Sequence, residues 1–288
     1  MSPSCSAEPL EAWQLGDADD HEDASGSWRV TAVLTCLLCV WGRPAYAYRP
    51  FDSTDAAVAA PGEMETECGP FGYVVAADGH FLVVPSAILN FGIADRWELV
   101  IEGRHFLLVQ PINDGRRHTL RDTALSLKGV LRQGSLQDRS GPSIGLEVGF
   151  LLPGIGIDTG VGASFAGILS QRWSAMTLHV NGELLITHDH SLGAFAGAIL
   201  EGPSKWLIRP VAELTLEQDA RRTTSGLIGA IWQVRHNLSL DAGWRVARSD
   251  GDDLREFRAG FTWAFPLGAG SETRRAAPLS APRWRPGA

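Results

Sequence analysis

Charged side chains recur at alternate positions within apolar stretches of this sequence. In WELVIEGR (residues 97–104), Glu98, Glu102 and Arg104 are separated by residues suited to a nonpolar environment. A β-strand points alternate side chains to opposite faces, so these charges share one face of a strand. Carboxylates and basic groups on one face can form ion pairs and line a hydrated surface that sorts solutes by charge. We expect the following residues to line such a surface: Glu98, Glu102, Arg104, Asp122, Lys128, Arg132, Glu183, Arg209, Glu213, Asp241, Arg245 and Arg258.

Two other motifs suggest chemistry, but neither has the complete pattern. In THDHS, His188 and His190 flank Asp189, whereas a zinc site takes three or four ligands, so we interpret these residues as solvated loop positions. The run PGIGIDTGVG lacks the G-x-G-x-x-G spacing, and no helical pattern follows it to present an N-terminus to a phosphate. We therefore predict no metal, no cofactor and no catalytic residue.

Alternation with a period of two residues dominates the chain after residue 62, and helical periodicity is nearly absent. The segments are close to the ~9–11 residues that a tilted strand needs to cross a bilayer. Short connections such as GIAD and SQRW interleave with longer polar ones such as PINDGRRH. Twelve strands are predicted, at residues 63–74, 80–91, 96–107, 119–132, 142–152, 157–169, 173–186, 191–201, 205–217, 223–235, 237–248 and 255–265.

The beginning of the chain has the features of an export signal. The apolar run Val30–Gly42 is too short to span a bilayer, and Ala45-Tyr46-Ala47 follows it as a small-x-small cleavage site. We predict a cut after Ala47, so that residues 1–47 are a signal peptide with an acidic N-terminal extension. The remaining divisions are a flexible periplasmic lead at 48–62, a barrel at 63–265 and a disordered tail at 266–288.

The composition and the alternation favour a membrane barrel over a soluble sandwich. The net charge of -8 argues against a nucleic-acid partner. Small residues are common on the polar faces, and Trp97, Trp173, Trp206, Trp263 and Phe265 fall near strand ends on one side, as in an interfacial girdle. The predicted fold class is all-β: a single antiparallel up-and-down transmembrane barrel of about twelve strands, located in the bacterial outer membrane.

Opposite charges on neighbouring strands suggest a register, because such pairs are mildly stabilising when they face each other. If position numbers in the third and fourth strands sum to 226, Glu98 faces Lys128 and Arg104 faces Asp122. The last hairpin pairs Arg245 with Glu256 when the numbers sum to 501.

Several stretches resemble a family of outer-membrane barrels, the transporter family of the meta-pathway of phenol degradation. They are RPFDSTDAAVAAPGEMETE, the strand from Asp122 to Lys128, the LLPG loop and the NLSLDAG strand, and the resemblance runs from about Arg49 to Phe265. It implies an outer-membrane location and passage of small compounds, aromatic ones among them. The chain departs from the pattern after Phe265, because barrels of this kind end at the aromatic residue of the last strand.

The expected function is therefore a passive channel or transporter for small solutes. The alternative is a structural or adhesion-type barrel with a plugged lumen, because twelve strands lie between ~8, where side chains fill the interior, and ~16, where a channel is open. A lipid-modifying enzyme is less favoured, since no local serine–histidine motif is present. The expected partners are outer-membrane lipid, the outer-membrane assembly machinery and a small-molecule solute.

Overall fold

The chain folds into a closed barrel of twelve antiparallel strands. The computed structural model describes residues 49–77, 79–111, 117–155, 160–219 and 221–268. Each strand pairs with its neighbours in sequence, and β1 closes the barrel by pairing with β12. The strands are β1 Glu63–Ala76, β2 Gly79–Ala94, β3 Trp97–Pro111, β4 His118–Arg132, β5 Ser143–Leu151, β6 Gly162–Arg172, β7 Thr177–Ile186, β8 Leu192–Glu201, β9 Ile208–Gln218, β10 Arg222–Arg235, β11 Leu238–Ser249 and β12 Asp252–Pro266. The predicted fold class is confirmed.

All twelve predicted segments correspond to strands, but some begin later than predicted. The seventh begins at Thr177 and the ninth at Ile208. In each case a turn takes up the residues assigned to the strand: the Trp173 N–H donates to the Met176 carbonyl, and the Trp206 N–H donates to the Pro203 carbonyl. We call the end of the barrel where β1 begins and β12 ends the terminal end, and the opposite end the loop end.

The outer surface of the barrel is apolar and its interior is polar, the reverse of a water-soluble protein. Large apolar side chains such as Phe150, Leu184, Leu214 and Ile228 are more than half exposed on the outside. Many buried positions instead hold polar and charged groups, and within the described ranges only two small clusters of buried apolar residues form. An apolar surface of this extent requires a nonpolar surrounding. Among the described residues, no helix is long and apolar enough to cross a bilayer.

The registers proposed for Glu98 with Lys128 and for Arg245 with Glu256 are confirmed. The proposed pairing of Arg104 with Asp122 is wrong, because Arg104 faces Arg121. The strand β4 carries one extra residue at this position, where Asp122 has a φ of 52°, and the extra residue shifts the register beyond it. The Arg104 Nη1 still lies 3.5 Å from the Asp122 carboxylate.

Residues 49–61, which we name the lumen segment, lie inside the barrel. This location differs from the flexible periplasmic lead expected for 48–62. Arg49, Ser53, Asp55 and Ala56 are all buried. The segment has no periodicity, and its order comes from contacts with wall residues that are distant in sequence. The predicted signal peptide and nearly all of the predicted tail lie outside the described residues.

Candidate functional site

The backbone of the lumen segment is held by polar side chains of the barrel wall. The N–H groups of Asp52 and Ser53 donate to the carboxylate of Glu213 on β9, at 2.9 and 2.7 Å. The Ala59 N–H donates to Glu98 on β3 at 2.6 Å. A backbone donor outside regular secondary structure needs another acceptor when it is buried, and the wall carboxylates supply it.

A cluster of charges holds the part of the segment that reaches furthest towards the loop end. The carboxylate of Asp52 lies 2.7 Å from Arg258 Nη1 and 2.9 Å from Arg245 Nε. Arg258 also contacts Glu256 at 2.8 Å, and Glu256 contacts Arg104 at 2.6 Å. Two acids and three bases therefore connect the segment to β3, β11 and β12.

The first described residues of the segment turn back towards β1, β2, β11 and β12. Arg49 donates to Ser86 at 2.7 Å, and its Nε lies 3.6 Å from Asp241. The carbonyl of Pro50 accepts a hydrogen bond from Arg258 at 2.9 Å.

A second polar cluster lies around the middle of the segment. Lys128 Nζ donates to the Thr54 hydroxyl at 3.1 Å and lies 3.4 Å from Glu98 and 4.0 Å from Asp55. The Asn181 side chain bonds both backbone groups of Thr54, at 3.1 and 2.7 Å. The register that brings Glu98 opposite Lys128 therefore also builds the site that holds the segment.

A line of polar contacts leads from the segment to the terminal end. The Ala56 N–H donates to Ser170 Oγ at 3.0 Å, and Ser170 Oγ lies 2.8 Å from His179 Nδ1. His179 Nε2 lies 3.3 Å from Glu201, whose other oxygen lies 3.4 Å from Arg209 Nε. Ser170 is fully buried, and its hydroxyl already accepts the Ala56 N–H.

The twelve candidate residues occupy three kinds of position. Six are buried in the interior: Glu98, Lys128, Arg209, Glu213, Asp241 and Arg258. Four are half-buried: Glu102, Arg104, Glu183 and Arg245. Asp122 and Arg132 are exposed, and Arg132 donates to the carbonyls of Ser140 and Pro142 in the connection after β4. The structure brings Arg104, Arg245 and Arg258 together around Asp52 and Glu256, and it keeps Arg132 apart from them.

The expected set omits several interior residues. Glu63, Glu65 and Glu67 alternate along β1 and are buried, so the rule that identified Glu98 would have found them. Asp52 and Asp55 lie in a segment without periodicity, and no pattern in the sequence indicates their position.

Among the described residues, three cavities adjoin the lumen segment. One of about 380 Å³ lies at the terminal end, beside Asp55, His179 and Arg209. Another of about 210 Å³ lies beside Arg49, Asp52 and the bulged parts of the first four strands. The third, of about 150 Å³, lies against Asp52 and Lys128. The lumen segment thus lies between a cavity at the terminal end and two that extend towards the loop end.

The polar side chains of the THDHS loop form hydrogen bonds within the loop and to the neighbouring connection. Asp189 accepts hydrogen bonds from the side chains of Thr187 and Ser191, and these bonds lower the pKa of its carboxyl to about 2. His188 Nε2 lies 3.0 Å from the Leu152 carbonyl. In the part of the chain that the structure describes, no group of three or more histidine, cysteine, aspartate or glutamate residues could hold a metal ion.

The fold and the interior define a closed twelve-stranded antiparallel barrel with an apolar outside and a charged inside. A scan against protein-family models found no match, and a search of curated proteins found none either. An outer-membrane channel from Pseudomonas putida F1 has a similar structure, with a TM-score of 0.52 and 12% identity over 75% of this chain and 100% of that one. The KdgM porin gives a TM-score of 0.46 with 9% identity over 70% and 99%. The CymD monoaromatic hydrocarbon channel gives 0.42 with 8% identity over 72% and 89%. At this level of identity the likeness to the Pseudomonas putida channel shows the fold alone.

Proposed function

We propose that this chain is an outer-membrane barrel that passes small solutes, and that the lumen segment closes it at rest. The observation that carries the proposal is the arrangement of surfaces: an apolar exterior surrounds an interior in which charged residues line cavities on both sides of the segment. A hydrated, charged interior suits solutes that cross in water. Because the cavities hold about 150 to 380 Å³, the solutes are small.

The finer assignment, to the transporter family of the meta-pathway of phenol degradation, is part of this proposal. It is supported by the resemblance that runs from Arg49 to Phe265. In such a barrel, aromatic compounds are among the solutes, and outer-membrane lipid and the assembly machinery are the partners.

Export and processing belong to the same proposal, with a signal-peptide cut after Ala47. The buried position of Arg49 and Pro50 supports it, because a cut there leaves a single residue ahead of Arg49. The lumen then needs to accommodate no further chain. Measuring the mass of the purified protein and sequencing its N-terminus would test this, and an N-terminus at any residue other than Tyr48 would contradict it.

A disulfide that fixes the lumen segment to the wall tests the closure. A Cβ at Gly145 on β5 would lie 3.4 Å from the Ala56 Cβ, close to the ~3.5–4.5 Å of a disulfide. We would combine Ala56→Cys with Gly145→Cys in a Cys68→Ser background, since Cys68 is the free cysteine of the described chain. In planar bilayers the reduced variant is expected to conduct and the oxidised variant to stay closed, with Gly145→Cys alone as the control.

The alternative function is a structural barrel whose segment never leaves the lumen. It is favoured by the number of buried polar contacts that Asp52, Ser53, Thr54 and Ala56 make with the wall. The same recordings separate the two functions. Insertion without conductance in either redox state would support the structural barrel, and equal conductance in both states would show that the segment is not the closure.

A further inference from the structure

The cavity at the terminal end differs in charge from the 150 Å³ cavity nearer the loop end. It is lined by the basic residues Arg172, Lys205 and Arg209 and by the acids Asp55 and Glu201, together with His179 and His236. In the 150 Å³ cavity, the single basic residue Lys128 meets five acids: Asp52, Glu67, Glu102, Glu147 and Glu183. An anion is therefore attracted to the terminal end and repelled by the acid-rich cavity.

The two acids of the terminal cavity are already engaged. Both oxygens of Glu201 have partners, one 3.3 Å from His179 and the other 3.4 Å from Arg209. Asp55 accepts a hydrogen bond from the Ala57 N–H and lies 4.0 Å from Lys128. These carboxylates are therefore partly neutralised towards the cavity.

Arg209 retains unused hydrogen-bonding capacity at this site. It is buried, and its Nε, 3.4 Å from the Glu201 carboxylate, is a buried donor without a hydrogen-bond partner among the described residues, while its two terminal nitrogens contact no described acceptor. A guanidinium carries five N–H donors in a planar fork that matches a carboxylate. A buried donor without a partner costs free energy, which a bound oxyanion would offset.

Lys205 supplies a second positive charge at the mouth of the same cavity. It lies in the turn between β8 and β9, is exposed and pairs with no acid in the described chain. Beside it, Leu136, Trp206 and Leu207 give the cavity an apolar side. The site thus combines a guanidinium fork, an ammonium group and an apolar wall.

We propose that this cavity binds a small organic carboxylate with an apolar body, held by Arg209 and Lys205. The carboxylate pairs with the Arg209 fork, and the apolar body packs against Trp206 and Leu207. A volume of about 380 Å³ accommodates such a molecule together with water.

The site is connected to the lumen segment. Arg209 and Ala56 are the two ends of the line of contacts that passes through Glu201, His179 and Ser170. A carboxylate bound to Arg209 therefore lies at one end of the line that holds Ala56. The inference that such a carboxylate is the transported solute rests on the proposed channel function. The binding of the carboxylate to the cavity does not.

Isothermal titration of the purified full chain in detergent with benzoate tests the proposal directly. Saturable one-to-one binding is expected, and benzamide, a neutral molecule of the same shape, is expected not to bind. Arg209→Gln is expected to weaken benzoate binding about tenfold or more, because a charge-assisted bidentate pair is lost. Lys205→Gln, which changes an exposed turn residue, is expected to weaken it several-fold with the fold intact. Arg248→Gln, which alters an exposed ion pair with Asp253 at the loop end, serves as the matched control.

The proposal would be overturned if benzoate showed no saturable binding or if benzamide bound as tightly as benzoate. It would also be overturned if both the Arg209 and the Lys205 variants kept the unchanged affinity for benzoate. Circular dichroism of each variant identifies loss of folding, and Lys205→Gln keeps the test decisive if the Arg209 variant does not fold. Conductance is measured separately. Benzoate binding without conductance would refute the channel function and would still support the carboxylate site.

Discussion

Replacing Asp52 by asparagine should loosen the lumen segment while preserving the shape of the side chain. Asp52 contacts Arg258 at 2.7 Å and Arg245 at 2.9 Å, and its side chain is 22% exposed. Each charge-assisted contact contributes about 1.5–3 kcal/mol. Asparagine keeps one acceptor, and both arginines keep Glu256, so we expect a net loss of about 2–3 kcal/mol in the free energy that holds the segment.

That loss corresponds to a roughly 30- to 150-fold increase in the ratio of displaced to seated segment. Single-channel recording of the Asp52→Asn protein measures the ratio as the open probability. Asp253→Asn is the matched control, because Asp253 forms an exposed pair with Arg248 at 3.9 Å far from the segment. If the Asp52 variant folds and its open probability equals that of the unchanged protein, the charge cluster does not hold the closure.

Three further outcomes follow from the same contacts. Lys128→Met leaves Glu98 buried without its 3.4 Å partner, so urea unfolding should show a loss of about 3–5 kcal/mol, whereas Lys205→Met should change little. Gly92→Ala places a methyl group against the backbone of Ala60, so the free energy of unfolding should fall by about 1–3 kcal/mol. Gly182→Ala is the control, because its methyl group meets open space, and it should unfold like the unchanged protein. Arg245→Gln removes the 2.9 Å contact with Asp52 and the 3.5 Å contact with Glu256. The open probability of this variant should therefore rise, as that of Asp52→Asn does. A fall would contradict the role of the charge cluster in holding the lumen segment.

The strands could be predicted because a membrane barrel places its two environments on alternate residues. Lipid on one side and a polar interior on the other require the pattern seen in WELVIEGR, and the pattern is local in sequence. The Glu98–Lys128 and Arg245–Glu256 pairs could also be predicted, because opposite charges that face each other across antiparallel strands are favourable.

The failure at Arg104 has a local cause. A single extra residue in β4, with Asp122 at a positive φ, moves all pairs beyond it by one position. Aspartate tolerates this conformation better than most residues, but an aspartate alone does not predict a bulge.

The lumen segment could not be predicted because its order comes from distant partners. Ala56 bonds to Ser170, and Pro50 bonds to Arg258, more than one hundred and two hundred positions away respectively. The stretch RPFDSTDAAVAAPG is short, rich in small residues and without period, so considered alone it has the features of a flexible lead. The wall groups that hold the segment come together only when the barrel closes and its inward residues face one another.

The chemistry of these attachments suits a closure that can be reversed. Apolar contacts of the segment are few: Phe51 packs against Val211 and Ile231, and Ala56 against Leu136 and Ile168. Displacing an apolar plug would cost about 25 cal/mol for each Å² exposed to water. Breaking an ion pair or hydrogen bond returns part of its energy when both partners are hydrated again, so each contributes about 0.5–3 kcal/mol net. A segment held by Asp52, Thr54 and the wall charges can therefore be precisely seated and still leave the lumen at modest cost. The same wall charges, once uncovered, would line the hydrated path.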